Sequence, residues 1–97
     1  MTDHVNYCPS WVTYIQRGDG MNPVFESKYR QLGLKIAYYR KLRGLTQEQL
    51  AEKIDRTPAF IGHVEAPNIK KAVSLDTLFQ IAAVLDVPAY KFLQFDD

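Results

Sequence analysis

The sequence predicts an all-α domain of five short helices joined by tight connections, preceded by an amino-terminal extension. Three observations carry that expectation. Apolar residues from about residue 27 recur at spacings of three and four, the signature of one helix face. Threonine or serine stands immediately ahead of three of the apolar runs, where a hydroxyl caps a helix start. Glycine, Asp-Arg or proline-containing breaks follow the runs, where helices stop.

Tyr29, Leu32, Ile36 and Tyr39 form the inner face of helix one. It should end at Gly44, a residue at ease in the left-handed conformation, with Arg40, Lys41 and Arg43 in its last turn, where the helix dipole favours cations. Thr46-Gln47-Glu48-Gln49 fits a capping box, so Thr46 starts helix two. Leu50, Ala51 and Ile54 give this helix a short apolar face. Asp55-Arg56 makes a tight turn, Thr57 caps helix three, and Pro58 takes its first position, where a missing N–H costs nothing. Ala66-Pro67-Asn68 ends helix three, and residues 67–73 form a basic loop. Ser74 caps helix four, whose core face is Leu78, Ile81, Ala82 and Leu85. Asp86-Val87-Pro88 breaks it, and Pro88 opens a short helix five through about Gln94.

At 97 residues, 46% hydrophobic and 24% charged, the chain fits one domain with one modest core. Residues 27–95 are assigned to the helical domain and residues 1–26 to the extension. The single cysteine, Cys8, excludes an intrachain disulfide framework. No apolar run approaches the roughly 18 residues that span a bilayer, and the first 20 residues lack the features of a signal peptide. A cytoplasmic protein is expected. Two histidines, His4 and His63, one cysteine and scattered carboxylates form no catalytic triad, phosphate loop or metal-ligand spacing, so no enzyme, metal or cofactor is expected. The net charge of +1 conceals an asymmetry: residues 28–71 carry +6, while residues 1–27 and 72–97 carry −2 and −3. A basic centre with acidic flanks is an electrostatic footprint for nucleic acid.

Two short helices joined by about three residues, at 46–65, form a helix-turn-helix. The stretch "LGLKIAYYRKLRGLTQEQLAEKIDRTPAFIGHVE" (32–65) resembles the lambda-repressor-like family, also called the XRE or Cro-repressor family, and "SLDTLFQIAAVLDV" (74–87) resembles its fourth helix. The resemblance implies a five-helix DNA-binding domain and a sequence-specific regulator, a repressor, that inserts helix 57–65 into the major groove of double-stranded DNA as a homodimer. It implies base-facing positions at Pro58, Ala59, Phe60, Gly62 and His63, with Ile61 and Val64 turned into the core. Phosphate contacts are implied at Thr46, Gln47, Arg56, Thr57, Asn68, Lys70 and Lys71. An ion pair between Arg40 and Glu65, bridging helices one and three, is implied as the device that fixes the recognition helix.

The chain departs from the family pattern in three places. Asp55 occupies a turn position that usually holds glycine, which aspartate tolerates better than most residues. Ala66-Pro67-Asn68 replaces the usual glycine after helix three. "TPAFIGHVEA" (57–66) offers almost no base-bonding side chains: Ala59 and Phe60 suit thymine methyls, and His63 suits a guanine acceptor or a phosphate. Specificity would then lean on DNA shape. The apolar helix three also fits a different class of function, a protein-interaction module of antitoxin or anti-regulator type.

Outside the resemblance, Leu34, Tyr38 and Leu42 form a second apolar stripe on helix one, which a minimal five-helix domain leaves uncovered. The aromatic-rich "WVTYI" (11–15) and the turn signal "RGDG" (17–20) predict an arm or hairpin over residues 5–25, packing Trp11, Ile15 or Phe25 against that stripe or a second subunit. Deleting residues 1–20 should lower the melting temperature by several degrees or abolish dimerisation. An unchanged melting curve, dimer and DNA affinity would leave the segment without a structural role.

Overall fold

The computed structural model describes residues 23–66 and 72–95, which are helical and contain no strand. A 3-10 turn, Pro23–Phe25, leads into α1 (Glu26–Leu42). There follow α2 (Gln47–Lys53), α3 (Pro58–Glu65), α4 (Leu75–Leu85) and a 3-10 helix, Ala89–Leu93. The expected fifth α-helix is therefore corrected: among the described residues there are four α-helices, and the last element is a 3-10 helix. Its Lys91 N–H bonds back to the Pro88 carbonyl at 3.0 Å, an i to i+3 closure. Five residues between Pro88 and Gln94 are too few to offset the cost of nucleating an α-helical ladder.

The helix boundaries follow from local chemistry. The Thr46 hydroxyl accepts from the Gln49 N–H at 3.0 Å, while Gln49 Oε1 accepts from the Thr46 N–H at 2.8 Å, a complete capping box. Thr57 and Ser74 accept from the Phe60 and Thr77 N–H groups in the same way, at 3.2 and 3.1 Å. Three helices end on one geometry. Gly44, Asp55 and Asp86 have φ of 76°, 59° and 56°, so each turns the chain through the left-handed region. The residue after each donates back over the last turn: Leu45 to Arg40, Arg56 to Ala51 and Val87 to Ala82. These are the paired bonds that satisfy orphan carbonyls at a helix end.

The core is built from one stripe of each helix. Leu32 and Ile36 of α1 meet Leu50, Ala51 and Ile54 around α2, Ile61 and Val64 of α3, and Leu78, Ile81, Ala82 and Leu85 of α4. Val87 and Phe92 close the carboxyl-terminal side. Phe92 is fully buried and sets its ring edge-on to Tyr39 at 5.2 Å. Tyr29 and Tyr39 pack half-buried at the rim.

Two contacts fix α1 against the rest. Gly33 is buried, and a methyl group there would collide with the Val64 carbonyl oxygen and touch Glu65 Cα at 3.4 Å. The α1–α3 crossing is thus closer than any side chain permits. Arg43 at the end of α1 donates to the Leu85 and Asp86 carbonyls at 2.6 and 3.0 Å, tying it to the free carbonyl end of α4.

Leu34, Tyr38 and Leu42 lie 58–60% exposed along the outer side of α1. Phe25, one of three residues expected to pack on that stripe or on a second subunit, borders an apolar groove with Tyr29, Leu32, Leu75 and Leu93, at the opposite side of α1 from the stripe. Of the arm expected over residues 5–25, residues 5–22 lie outside the described residues, and Pro23–Phe25 form the 3-10 turn.

Gly33→Ala should destabilise the domain by about 1–3 kcal/mol through overpacking, although alanine favours helix by ~1 kcal/mol. A thermal melt checks this, since each kcal/mol moves the midpoint by roughly 4–8 °C in a domain of this size. An unchanged midpoint would mean that α1 and α3 separate freely.

Candidate nucleic-acid interface

α2 and α3 pack against each other through Leu50, Ala51, Ile54, Ile61 and Val64, which leaves the opposite side of α3 open. Its exposed residues begin at the cap: Thr57, Pro58, Ala59 and His63 are exposed, Gly62 is half-exposed, and Ile61 and Val64 are fully buried. The candidate base-facing residues therefore share one surface, apart from Phe60. That ring is partly buried against the core and carries the Arg56 guanidinium over its face, 4.2 Å from the centroid.

Gly62 has no packing reason to be glycine. A methyl group there would meet only Gln47 Oε1, at an ordinary 3.8 Å, and its φ is not left-handed. Helix interiors disfavour glycine by about 0.8–1 kcal/mol relative to alanine. The residue costs the fold something and returns nothing to it within the monomer.

Arg56 is anchored twice. Besides its stack on Phe60, its Nη2 donates to Thr77 Oγ1 at 3.1 Å, and the Ser74 hydroxyl lies 3.0 Å from the same oxygen. The turn of the motif is thus joined to the first turn of α4. Asp55, Arg56, Thr57, Ala59, Phe60 and His63 line a shallow groove on this side. Thr46 and Gln47 line another with Arg40, Lys41 and Pro58. Asn68, Lys70 and Lys71 lie outside the described residues.

Beneath the surface, Arg40 and Glu65 form a two-pronged ion pair. Arg40 Nε donates to Glu65 Oε2 at 2.7 Å and Nη2 to Oε1 at 2.9 Å. The side chains are only 8% and 6% exposed. Arg40 Nη1 donates to the Leu45 carbonyl at 2.8 Å, so the guanidinium also holds the α1–α2 connection. Gln47 Nε2 donates to Glu65 Oε1 at 2.9 Å. Every prong of this network ends on a partner, the condition under which a buried charge pair is tolerated.

Three contributors were not legible as such in the sequence. Gly33 stands inside a helix with nothing nearby to mark a close crossing. Arg43 reads as a dipole-favoured cation, and its contact with α4 depends on the fold. Thr77, buried beside the Ser74 cap, reads as an ordinary first-turn residue. Among the described residues, no group of three or more histidine, cysteine or acidic side chains is placed to hold a metal ion.

Glu65→Ala should cost about 3–5 kcal/mol, because it leaves the Arg40 guanidinium buried without its counter-charge. Urea unfolding checks this through a lowered midpoint at unchanged slope. A loss below about 1 kcal/mol, the range of exposed pairs, would show that water screens the pair.

Residues 36–92 match a helix-turn-helix family model. No curated protein sequence matches the chain. Among solved structures, the chain is similar to SinR, the master regulator for biofilm formation, determined in complex with DNA. That match has 32% identity and a TM-score of 0.60, over 65% of this chain and 98% of that one. It is also similar to the hypothetical transcription factor NHTF from Neisseria, with 25% identity and a TM-score of 0.64 over 70% and 74% of the two chains. The restriction-modification controller protein C.AhdI from Aeromonas hydrophila matches at 26% identity and a TM-score of 0.61, over 66% and 94%. The family match covers more than half the chain and lies on the helices just described. The protein belongs to the XRE, or lambda-repressor-like, helix-turn-helix family of DNA-binding transcription regulators.

Proposed function

We propose that the protein is a sequence-specific DNA-binding repressor that acts in the cytoplasm as a homodimer and lays α3 in the major groove. The observation that carries this reading is Gly62. A glycine that disfavours the helix and relieves no contact within the monomer is accounted for by the close approach of another molecule to α3. Similarity to SinR, solved in complex with DNA, supports DNA as that molecule, as does the +6 charge of residues 28–71.

In this reading Pro58, Ala59 and His63 face base edges and Phe60 borders them. Ala59 and Phe60 pack on thymine methyls, and His63 donates to a base acceptor. Thr46, Gln47, Arg56 and Thr57, with Asn68, Lys70 and Lys71, contact phosphates and set the register. One α3 covers few base pairs, so a two-fold dimer reads half-sites roughly 34–36 Å apart. Tyr90 and Leu93, 61% and 42% exposed, are candidates for the dimer contact. Phe92, which lies between them in sequence, is wholly inside the core and unavailable for such a contact.

A second reading, a protein-interaction module, is favoured by the exposed Leu34, Tyr38 and Leu42 stripe, since contiguous exposed apolar surface marks interaction sites. Selection of bound DNA from a genomic library by the purified protein separates the two. Recovery of an inverted-repeat motif supports the repressor, and failure to retain any DNA at low salt removes it.

On the selected duplex, Gly62→Ala should stabilise the fold by about 0.5–1 kcal/mol and yet weaken DNA binding. His63→Ala should flatten preference at one or two base pairs. Lys70→Ala and Lys71→Ala should each reduce the slope of log affinity against log salt by about 0.9. A Gly62→Ala protein that is more stable and binds equally well would remove the close-approach argument. Salt slopes unmoved by both lysine changes would remove Lys70 and Lys71 from the DNA contacts.

A further inference from the structure

We infer that Glu65 is a positioning residue for Gln47, so that the buried Arg40–Glu65 pair presents the Gln47 carboxamide in a fixed orientation for a DNA phosphate. The inference rests on the DNA-binding reading for its ligand, while its structural half stands on geometry alone.

Gln47 is the first residue of α2 and Glu65 the last of α3, yet Gln47 Nε2 reaches Glu65 Oε1 at 2.9 Å. The same oxygen accepts from Arg40 Nη2 at 2.9 Å. An ionised carboxylate only accepts, so it fixes which end of the amide faces it. The nitrogen points to Glu65 and Oε1 is turned away, towards Gly62, where a Cβ would stand 3.8 Å from it. A glutamine side chain is ordinarily mobile about three torsions, and ordering it on binding weakens affinity. Here the Glu65 carboxylate already holds one end of the amide without any ligand. Glu65 engages one of the two N–H groups on Nε2, and the other remains for a phosphate oxygen.

The pairing with Arg40 supplies a second effect. A lone carboxylate beside Gln47 would repel a phosphate. With Arg40 bidentate on it, the pair is neutral, so Glu65 orients the amide without opposing the anion. Neither Arg40 nor Glu65 needs to touch DNA. Both nevertheless bear on affinity, through a neutral group and without adding to counterion release.

The test is a cycle of four proteins on the selected duplex: the unmodified chain, Gln47→Ala, the pair replacement Arg40→Met with Glu65→Leu, and all three changes together. Apolar replacement of a buried pair commonly preserves folding, which a melting curve verifies. Gln47→Ala should weaken binding about three- to tenfold, the worth of one hydrogen bond. The pair replacement should weaken it equally, the triple variant no further, and all should share one salt slope. Losses that multiply in the triple variant would overturn the inference. A measurement on the unmodified protein guards against a variant that fails to fold. In the free state the Gln47 side-chain proton that faces Glu65 should be exchange-protected, the other proton should exchange freely, and the amide should have a high order parameter. A low order parameter, with both amide protons exchanging equally fast, would also overturn it. If the unmodified protein retains no DNA, the functional reading fails, and the resonance measurement still decides whether Glu65 holds Gln47.

Discussion

The contact on which most of this structure depends joins two charges 25 residues apart. Arg40 comes from the last turn of α1 and Glu65 from the last residue of α3, and the two meet in a shielded, bidentate geometry. Burying either charge alone would be prohibitive, so the pair tolerates few relative placements of the two helices. Arg40 reaches the Leu45 carbonyl and Glu65 receives Gln47, so one network spans α1, the α1–α2 connection, α2 and α3. Its strength as a source of net stability is modest, because desolvation offsets the attraction. Its strength as a constraint on geometry is considerable.

Around that constraint, apolar packing supplies the stability and backbone geometry sets the ends. Ile61 and Val64 hold α3 by its inner face, and Gly33 lets the backbones of α1 and α3 approach. Three left-handed residues stop α1, α2 and α4 without lengthening the connections. Two of the three are aspartates in place of the better-suited glycine. In both, the second bond of the turn is intact, so the backbone motif persists at some conformational cost. The short connections that result keep α2 and α3 in the crossing that defines the motif.

Much of this was legible in the sequence, for identifiable reasons. The apolar spacing of α1 and α4, the hydroxyl caps at Thr46, Thr57 and Ser74, and the stop at Gly44 are local features, and local chemistry decides them. The final element was misread as an α-helix because Pro88 announces a start but says nothing about how far the ladder can run. The burial of Phe92 beside the exposed Tyr90 and Leu93 is not legible in the sequence, because three apolar residues in one short turn cannot be sorted without knowing what lies beneath them. Within the candidate site, the exposed face of α3 followed from the family resemblance. The partner of Gln47, the bonds of Arg43 to α4 and the clearance at Gly33 depend on the crossing angles of distant helices, which no local pattern encodes.

The position of Arg40 has a consequence for modularity. The motif proper, residues 46–65, contains both of its helices, its turn and its caps, but the Arg40 guanidinium that neutralises Glu65 belongs to α1. A peptide cut to the motif would carry a carboxylate evolved for burial with nothing to answer it, and would lose the Gly33 crossing as well. The helix-turn-helix here is not a cassette that can be lifted onto another scaffold. The transferable unit begins at least one helix earlier, and a graft that omits α1 would need its own buried cation at the height of Glu65.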